Sequence, residues 1–331
     1  MKAIIYDAFG PADHVLKLVE LDTPAPAPGE VTVAMAFSGV NPSDVKARAG
    51  TRPGVTVPPF PQIIPHSDGS GIITAVGAGV PDTRVGERVW IWNGQWQRAF
   101  GTCAEAITLP ADQAVLLPDN TRLETGAVLG IPGLTACYTV FSGGSVEGKT
   151  VLVQGAAGTV GYLATQLAIW GGANVIATAR GEGAERVRAL GVEHVIDFTQ
   201  PDVVQQVIAA NDGQLIDRII EPEFGLNIAA DTDMIAPNGT ICAYGSALEP
   251  SPTLPFMPLM FKAVTMDLAL IYILTAEQRQ NMISILTKAL TEGALTCPIE
   301  AIHPLDQAAE AQKAVEAGQR AGAVLVRTGD I

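Results

Sequence analysis

Three glycines spaced three residues apart stand in the stretch VQGAAGTVGYLA, at Gly155, Gly158 and Gly161. A buried strand, TVLV, is predicted before them and an amphipathic helix after them, so the glycines fall where a strand turns into a helix. The free N–H groups and the positive dipole end of such a helix attract phosphate. Gly155 allows the tight exit from the strand, Gly158 lets phosphate approach the backbone, and Gly161 lets the helix pack against the sheet. The spacing predicts a dinucleotide-phosphate loop, although a glycine-rich turn without a ligand remains an alternative.

The end of the next strand, NVIATAR, indicates which dinucleotide would bind. An NAD site usually has Asp or Glu there, which binds the 2′-hydroxyl of the ribose. Arg180 occupies this end instead, and a guanidinium matches a 2′-phosphate in charge and in hydrogen-bonding geometry. Thr178 adds a hydroxyl, and Arg186 follows one or two helical turns later. We therefore predict NADPH as the cofactor. A solvated surface arginine is the alternative reading of Arg180, and Glu182 and Glu185 lie close enough to weigh against the prediction.

Strands and helices alternate from Lys149 onward, and this alternation has to position the glycine loop. The runs NVIATA, HVIDF, LIDRIIE and GTICAYG are predicted strands, with helical patterns such as EGAERVRALG between them. Such β-α-β repetition predicts a parallel, doubly wound sheet and an α/β fold class. The first third of the chain is rich in β-strand patterns, such as EVTVAMAF and GSGIITAVG. Two helical patterns at 277–292 and 305–317 and a short strand, AVLV, close the chain.

Composition and charge exclude several classes of partner. The 331 residues are 48% hydrophobic and carry a net charge of −14, which argues against nucleic-acid binding. The most apolar late stretch, 254–274, contains two prolines, a lysine and an aspartate, so we predict no membrane span. Cys103, Cys137, Cys242 and Cys297 are scattered without a paired spacing, which favours reduced thiols in the cytoplasm. A local cationic pocket for a small anion remains compatible with this charge.

The order of several motifs resembles one enzyme family. With GVNPSD (39–44), VGERVW, GIPGLTACY (130–138) and VQGAAGTVG in that order, the chain resembles the zeta-crystallin-like quinone oxidoreductases, the zinc-free branch of the medium-chain dehydrogenase/reductase superfamily. The resemblance covers nearly the whole chain. It implies a GroES-like catalytic domain over 1–122, a Rossmann domain over 123–265, and a return to the first domain over 266–331. It also implies NADPH bound in the cleft between domains and a homodimer or homotetramer.

The resemblance also implies roles for single residues. Asn41 and Asp44 are expected at the nicotinamide end of the cleft, and Thr135 beside the nicotinamide and its ribose. The residues expected around the diphosphate and on the far wall are Ala157, Gly158, Val160 and Gly161, then Gly245 and Ser246. Local alternatives stay open, because Asn41 is also a turn former before a proline and Thr135 also suits the start of a helix.

A zinc site is not expected. Zinc-dependent relatives need a Cys at the position of Asn41 and a His-Glu pair, whereas PHSDGSG places Ser67 and Asp68 at the positions of that pair. The cysteines also lack the spacing of a structural zinc lobe. His66 stands where the family usually has glycine, and we predict that it lies near the substrate mouth, with an ordinary loop residue as the alternative.

Two departures from the family bear on the substrate. Tyrosines often follow the Asn-Pro turn, but here Lys46 and Arg52 occupy the matching positions, which predicts a cationic mouth for an anionic or polarised acceptor. Asn41, Lys46 and Arg52 are the predicted catalytic residues, as donors to a developing oxyanion or as anchors of the acceptor. Phe198 replaces a tyrosine that often ends the third strand, which removes one hydroxyl near the adenosine phosphate.

These observations predict metal-free hydride transfer from NADPH to a small-molecule electron acceptor of the quinone type. Reduction of an activated C=C bond, in an enone, an alkenal or an acrylate-type acid, uses the same hydride delivery, and the sequence does not separate the two. A non-catalytic NADPH-binding protein with a structural or regulatory role is the third possibility.

Overall fold

The computed structural model describes residues 1–52, 54–318 and 320–331. Its contacts divide the chain into two compact units. The first unit comprises Met1–Ile131 together with Cys297–Ile331, and the second comprises Pro132–Thr296.

The described residues form strands and helices in the following order. The strands are β1 (Lys2–Ile5), β2 (Lys17–Glu20), β3 (Glu30–Val40), β4 (Asp68–Val76), β5 (Arg88–Ile91), β6 (Ala106–Pro110), β7 (Ala114–Leu116), β8 (Thr150–Val153), β9 (Asn174–Thr178), β10 (His194–Ile196), β11 (Ile216–Glu221), β12 (Ile235–Ala243), β13 (Thr265–Leu268), β14 (Ile299–Pro304) and β15 (Ala323–Arg327). The helices are α1 (Ala12–Val15), α2 (Pro42–Ala49), α3 (Leu123–Gly126), α4 (Leu134–Phe141), α5 (Thr159–Trp170), α6 (Gly181–Arg188), α7 (Val203–Ala210), α8 (Phe224–Met234), α9 (Phe256–Phe261), α10 (Ala276–Thr291) and α11 (Ala308–Ala317). Within the described ranges, no helix is long and apolar enough to cross a bilayer.

The first unit is built on a mostly antiparallel sheet with the strand order β14-β15-β3-β4-β5-β7, and β6 also pairs with β3. The long strand β3 is its centre, since it pairs with β4, β6 and β15. Val31, Val33 and Met35 alternate along β3 and are fully buried in one core. This period of two is the pattern expected of a strand with a buried face. The β-rich first third predicted from the sequence is confirmed.

The second unit is a six-stranded parallel sheet with the order β10-β9-β8-β11-β12-β13. Strand order runs outward from β8 in one direction and from β11 in the other, so the topology reverses between these two strands. This is the doubly wound Rossmann arrangement, in which ligands bind at the carboxyl ends of the strands beside the reversal. The predicted α/β fold class is confirmed.

The domain boundaries differ from the predicted 1–122, 123–265 and 266–331. The short helix α3 packs against β4 and β5 and so belongs to the first unit. β13 pairs with β12 and α10 packs on α4, so residues up to Thr296 belong to the second unit. The return to the first unit therefore begins at Cys297, about thirty residues later than predicted. The sequence does not show that residues 266–296 stay with the second unit. The strand that begins this segment, β13, has only four residues, and its pairing with β12 is visible only in the structure.

Candidate functional site

The glycine loop joins β8 to α5 in a tight turn. Gly155 has a φ of +60°, which favours glycine. Its N–H donates to the Thr178 hydroxyl over 3.0 Å, and its carbonyl oxygen accepts from the Gly158 N–H over 3.0 Å. A Cβ at Gly161 would overlap this same carbonyl oxygen of Gly155. Only glycine at position 161 therefore lets α5 pack this closely on the loop.

The first turn of α5 has the features of an anion cradle. Gly158 is the N-cap, so no side chain caps the helix, and the first N–H groups of a helix have no intrahelical acceptor. A Cβ at Gly158 would meet the Gly155 carbonyl oxygen only at an ordinary 3.4 Å, which leaves the space in front of the helix open. Ala157 and Val160, also predicted here, are half-buried on either side of Gly158. Placed at the carboxyl end of β8, beside the reversal, this cradle fits a dinucleotide diphosphate.

Arg180 is exposed at the end of β9, where it is also the N-cap of α6. Its guanidinium lies 5.5 Å from the centroid of the Phe198 ring. Phe198 thus supplies an aromatic face that supports Arg180. Glu185, which weighed against NADPH in the sequence, pairs with Arg188 over 2.7 Å and leaves Arg180 outside that ion pair.

Arg186 lies beside the glycine loop. A Cβ at Gly183 would lie 2.6 Å from the Ala157 side chain and 3.9 Å from Arg186 Nη2, so the three residues adjoin. The Nε of Arg186 is buried and has no hydrogen-bond partner among the described residues. Thr178, predicted to contact the cofactor, is buried with its hydroxyl on the Gly155 N–H, so it fixes the loop from behind. Two guanidiniums therefore flank this end of the sheet.

The loop after β12 is held by hydrogen bonds of Ser246 and by close packing at Gly245. The Ser246 hydroxyl accepts from the Gly225 N–H over 2.9 Å and donates to the Glu249 carbonyl, so it joins this loop to the start of α8. These two bonds hold the loop in place, and the predicted position of Ser246 on the far wall of the cofactor site stays a prediction. A Cβ at Gly245 would overlap the Pro222 carbonyl oxygen, which requires glycine there.

Thr135 lies in the first turn of α4 and is 6% exposed. The segment before it is a π-helical turn, Leu129–Gly133, which contains Pro132. Its predicted position beside the nicotinamide stays a prediction.

A buried acid pair near the glycine loop was not predicted from the sequence. Gln154 Nε2 donates to Glu221 Oε2 over 2.7 Å and to Asp231 Oδ1 over 2.6 Å. Both acids are fully buried, and burial raises the pKa of each carboxyl above its usual range. The signal available in the sequence was the acid that ends a buried strand in RIIEPEFG.

In the first unit, Asn41 is joined to two buried acids. Its backbone N–H donates to Asp44 Oδ2 and its side-chain Nδ2 donates to Asp68 Oδ2, both over 2.8 Å. All three residues are at most 5% exposed. Burial raises the pKa of Asp44 to about 7, and burial followed by the charge of Asp44 raises the pKa of Asp68 well above its usual range. One hydrogen of the Asn41 amide is thus taken by the Asp68 carboxyl, and the predicted donation to an oxyanion on the acceptor stays a prediction.

The two predicted cations lie in different surroundings. Arg52 is half-buried, its Nη2 donates to the Ser43 carbonyl over 3.0 Å, and its charge partly offsets the effect of burial on the pKa of Asp44. Lys46 is exposed on α2. The structure therefore brings Arg52, but not Lys46, to the acid cluster.

His66 is a core residue, which corrects its predicted place at the substrate mouth. It is 1% exposed and has a φ of +74°, a conformation that favours glycine. Gln312 Oε1 accepts from Arg48 Nε over 3.0 Å, so the amide nitrogen of Gln312 faces His66 Nε2 at 3.1 Å. Nε2 must then be the acceptor and Nδ1 the donor to the Ser38 hydroxyl at 2.9 Å. Burial lowers the pKa of His66 to about 3, so the ring is neutral.

These residues do not fit zinc. The Asn41 nitrogen that faces Asp68 donates a hydrogen and has no lone pair for a metal. Both ring nitrogens of His66 are engaged in hydrogen bonds. Over the described part of the chain, no group of three or more His, Cys, Asp or Glu side chains could hold a metal ion.

Comparisons with known proteins agree with this geometry. The alcohol dehydrogenase GroES-like domain matches residues 27–146, and the zinc-binding dehydrogenase family matches residues 159–288. The chain is 30% identical over 320 residues to the quinone oxidoreductase of Rattus norvegicus, covering 95% of this chain and 93% of that protein. It therefore belongs to the quinone oxidoreductase family of the medium-chain dehydrogenase/reductase superfamily.

The chain is also similar to a longer vertebrate protein and to a solved mycobacterial structure. The synaptic vesicle membrane protein VAT-1 homolog of Homo sapiens is 32% identical over 252 residues, which is 75% of this chain. The match spans 61% of that longer relative. A solved mycobacterial structure complexed with NADPH has a TM-score of 0.85 and 27% identity, and covers 99% of this chain and 100% of its own.

Proposed function

We propose that this protein is an NADPH-dependent oxidoreductase that transfers a hydride, without a metal, to a quinone-type acceptor. The observation that carries the proposal is the glycine cradle of α5 flanked by Arg180 and Arg186, with no carboxylate at the end of β9. The related quinone oxidoreductase and the neighbouring structure complexed with NADPH support the same chemistry.

The residues of this chain contribute binding and orientation. NADPH, when bound, supplies the hydride at its nicotinamide. The N–H groups at the start of α5 hold the diphosphate, and Arg180, supported by Phe198, holds the 2′-phosphate. A quinone suits a site without a metal, because its reduced oxygens are stabilised by the ring and are protonated by water.

We assign the binding of the electron acceptor to Arg52 and Lys46. The assignment of Arg52 rests on its hydrogen bond to the Ser43 carbonyl and on its position near Asp44. The assignment of Lys46 rests on its exposure on α2. These cations favour acceptors with a carboxylate or sulfonate group over plain apolar quinones.

The test is an NADPH-oxidation screen across neutral and anionic ortho- and para-quinones, enones and acrylates, with NADH in parallel. We expect oxidation of NADPH by quinones, fastest with the anionic ones, and a preference over NADH. Turnover confined to enones or acrylates would assign C=C reduction instead. Stoichiometric NADPH binding without turnover of any acceptor would assign a binding protein.

We further propose that two or four copies of this chain assemble through the free edge of the parallel sheet. β13 is the last strand of that sheet, and Met266 and Leu268 on it are 43% and 72% exposed. The neighbouring helix α9 exposes Phe256 and Phe261 at 65% and 78%. An apolar edge strand of this kind needs a covering partner.

A cytoplasmic location is proposed from the thiols. The four cysteines are free, and Cys103, Cys137 and Cys242 are buried. Burial raises the pKa of each of these three thiols, which keeps them protonated and unreactive. Free thiols of this kind are typical of a reducing compartment.

A further inference from the structure

The acid pair of Glu221 and Asp231 stands between the two loops at the reversal of the parallel sheet. Glu221 ends β11, Asp231 lies in α8, and Gln154, which donates to both carboxyls, directly precedes Gly155. A Cβ at Gly155 would lie 3.2 Å from the Pro222 ring, so the residue after Glu221 touches the glycine loop. The pair thus lies next to the phosphate cradle without forming part of it.

The same pair is connected to the loop after β12. Glu221 Oε1 accepts from the Glu223 N–H and from Asn227 Nδ2, the latter over 3.0 Å. The Glu223 carboxylate in turn accepts the backbone N–H groups of Ala247 and Leu248 over 2.9 and 2.8 Å. Hydrogen bonds therefore connect the acid pair to both loops.

The surroundings of the pair cannot balance two negative charges. Among residues 1–52, 54–318 and 320–331, the titratable groups that interact with the pair are Glu223 and Tyr244, and neither is a cation. Gln154 and Asn227 are neutral donors. Two ionised carboxylates buried together without a cation would be strongly unfavourable.

One oxygen shows where a proton belongs. Asp231 Oδ2 is buried and receives no hydrogen bond from the described residues. One Gln154 amide nitrogen donates to both carboxyls, so the two groups lie side by side, and a protonated Oδ2 of Asp231 would be a donor available to the Glu221 carboxylate. Glu221 already accepts from three donors, namely Gln154, Glu223 and Asn227, which suits the ionised member of the pair.

We propose that Glu221 and Asp231 hold a single proton between them, and that the singly protonated pair positions the glycine loop and residues 244–249 for the dinucleotide. The inference rests on the proposed NADPH-binding function. Loss of the proton breaks the bond between the two carboxyls and places a second negative charge behind the diphosphate. Because linkage is reciprocal, a bound dinucleotide must in turn favour the protonated pair.

The experiment measures NADPH and NADH dissociation constants by calorimetry from pH 5.5 to 9, for the wild type and for Asp231→Asn. In the wild type, we expect the dissociation constant to rise with pH above the titration of the pair, by at most about tenfold per pH unit for one proton. The amide introduced by Asp231→Asn is a permanent neutral donor to Glu221, so the variant should keep the low-pH affinity at every pH. NADH separates this effect from the titration of the 2′-phosphate, whose second pKa is about 6.

Two further variants sharpen the test. Asp267→Asn is the control, because Asp267 accepts from Tyr138 and Ser142, which lie outside both loops, and it should keep the wild-type pH dependence. Glu221→Gln also removes one charge, but it replaces one of the two acceptor oxygens by an NH2 donor, which deprives at least one of the donors Gln154, Glu223 and Asn227 of its acceptor, so it should weaken binding at all pH values. Wild-type binding in buffers of different ionisation enthalpy should show uptake of up to one proton, and Asp231→Asn should show none from this pair.

Failure of the inference about the acid pair can be distinguished from failure of the proposed NADPH-binding function. If the wild type and Asp231→Asn show the same pH dependence and the same proton uptake, the inference is wrong and NADPH binding stands. If no dinucleotide binds at any pH, the proposed function fails. Hydrogen exchange of residues 155–158 in the free protein then still tests the pair: protection should fall with rising pH in the wild type and stay constant in Asp231→Asn, and equal pH dependence would overturn the inference.

Discussion

Arg180 lies exposed at the end of β9, outside the ion pair of Glu185 and Arg188. We expect Arg180→Ala to weaken NADPH binding by about 1.5–3 kcal/mol, the value of a hydrogen bond to a charged group. This corresponds to roughly ten- to 150-fold in the dissociation constant. Binding of NADH, which lacks the 2′-phosphate, should be unchanged. Arg188→Ala is the matched control, because its guanidinium is held by Glu185, and an equal loss of affinity in both variants would contradict the assignment.

The buried ring of His66 predicts how the stability of the fold depends on pH. Its pKa is about 3 in the folded protein and near 6.5 in an unfolded chain, so the neutral ring stabilises the fold above pH 6.5, and this contribution is lost as pH falls toward 3. His66→Asn tolerates the left-handed backbone, but its shorter side chain cannot keep both the bond to the Ser38 hydroxyl and the bond from the Gln312 amide nitrogen. We expect it to be less stable at pH 7 by about 1–3 kcal/mol. It should lose less stability than the wild type between pH 6.5 and 4.

Urea unfolding across this pH range measures both effects. The neighbouring acids titrate in both proteins, so the difference between the two curves isolates His66. Parallel curves would show that the ring does not have the depressed pKa that its burial implies.

Residues whose roles are local were predictable from the sequence, and residues whose partners are remote were not. Gly155 and Gly161 fit together within one turn, so their spacing alone indicated the loop. The partner of the His66 Nε2 atom, in contrast, is Gln312, 246 residues away. Ser246 likewise depends on Gly225, 21 residues earlier, and neither contact leaves a periodic pattern in the sequence.

At the scale of elements, the junction of β8 and α5 allows a paired test of two glycines. A Cβ at Gly161 overlaps the Gly155 carbonyl oxygen, so Gly161→Ala must move α5 or the loop. We expect a loss of about 1–3 kcal/mol in the free energy of unfolding, as for other overpacked sites, together with loss of NADPH binding.

Gly158→Ala is the contrasting variant. Its Cβ meets the same oxygen at an ordinary 3.4 Å and otherwise projects into open space. The melting temperature should therefore stay the same, while NADPH affinity falls roughly tenfold through loss of one close phosphate contact. If Gly158→Ala binds NADPH as well as the wild type, the diphosphate does not lie against this residue.

The period of hydrophobic residues predicted most elements, because a strand or helix with one buried face repeats every 2 or 3.6 residues. It could not predict to which unit the late elements belong. β13 has only four residues, with an exposed side chain at three of them, so its sequence resembles a loop. Its pairing with β12 is what assigns it to the parallel sheet.

For the whole molecule, the apolar edge formed by β13 and α9 conflicts with a stable monomer. The net charge of −14 favours solubility, yet Leu268 and Phe261 remain 72% and 78% exposed. A second copy that pairs edge to edge would satisfy the free backbone groups of β13 and cover these side chains. The surface therefore predicts an assembly of like chains.

Leu268→Lys tests this assembly, because a charge on an edge strand opposes pairing with another strand. We expect the wild type to sediment as a dimer or tetramer and Leu268→Lys to shift toward the monomer at the same concentration. Val57→Lys is the control, since Val57 is similarly exposed at 68% but lies in the first unit, outside the sheet that contains β13. A monomeric wild type, or an assembly that both variants leave intact, would show that this edge is not the interface. Because the control places the same charge on an equally exposed site, any difference between the variants belongs to the edge of the sheet.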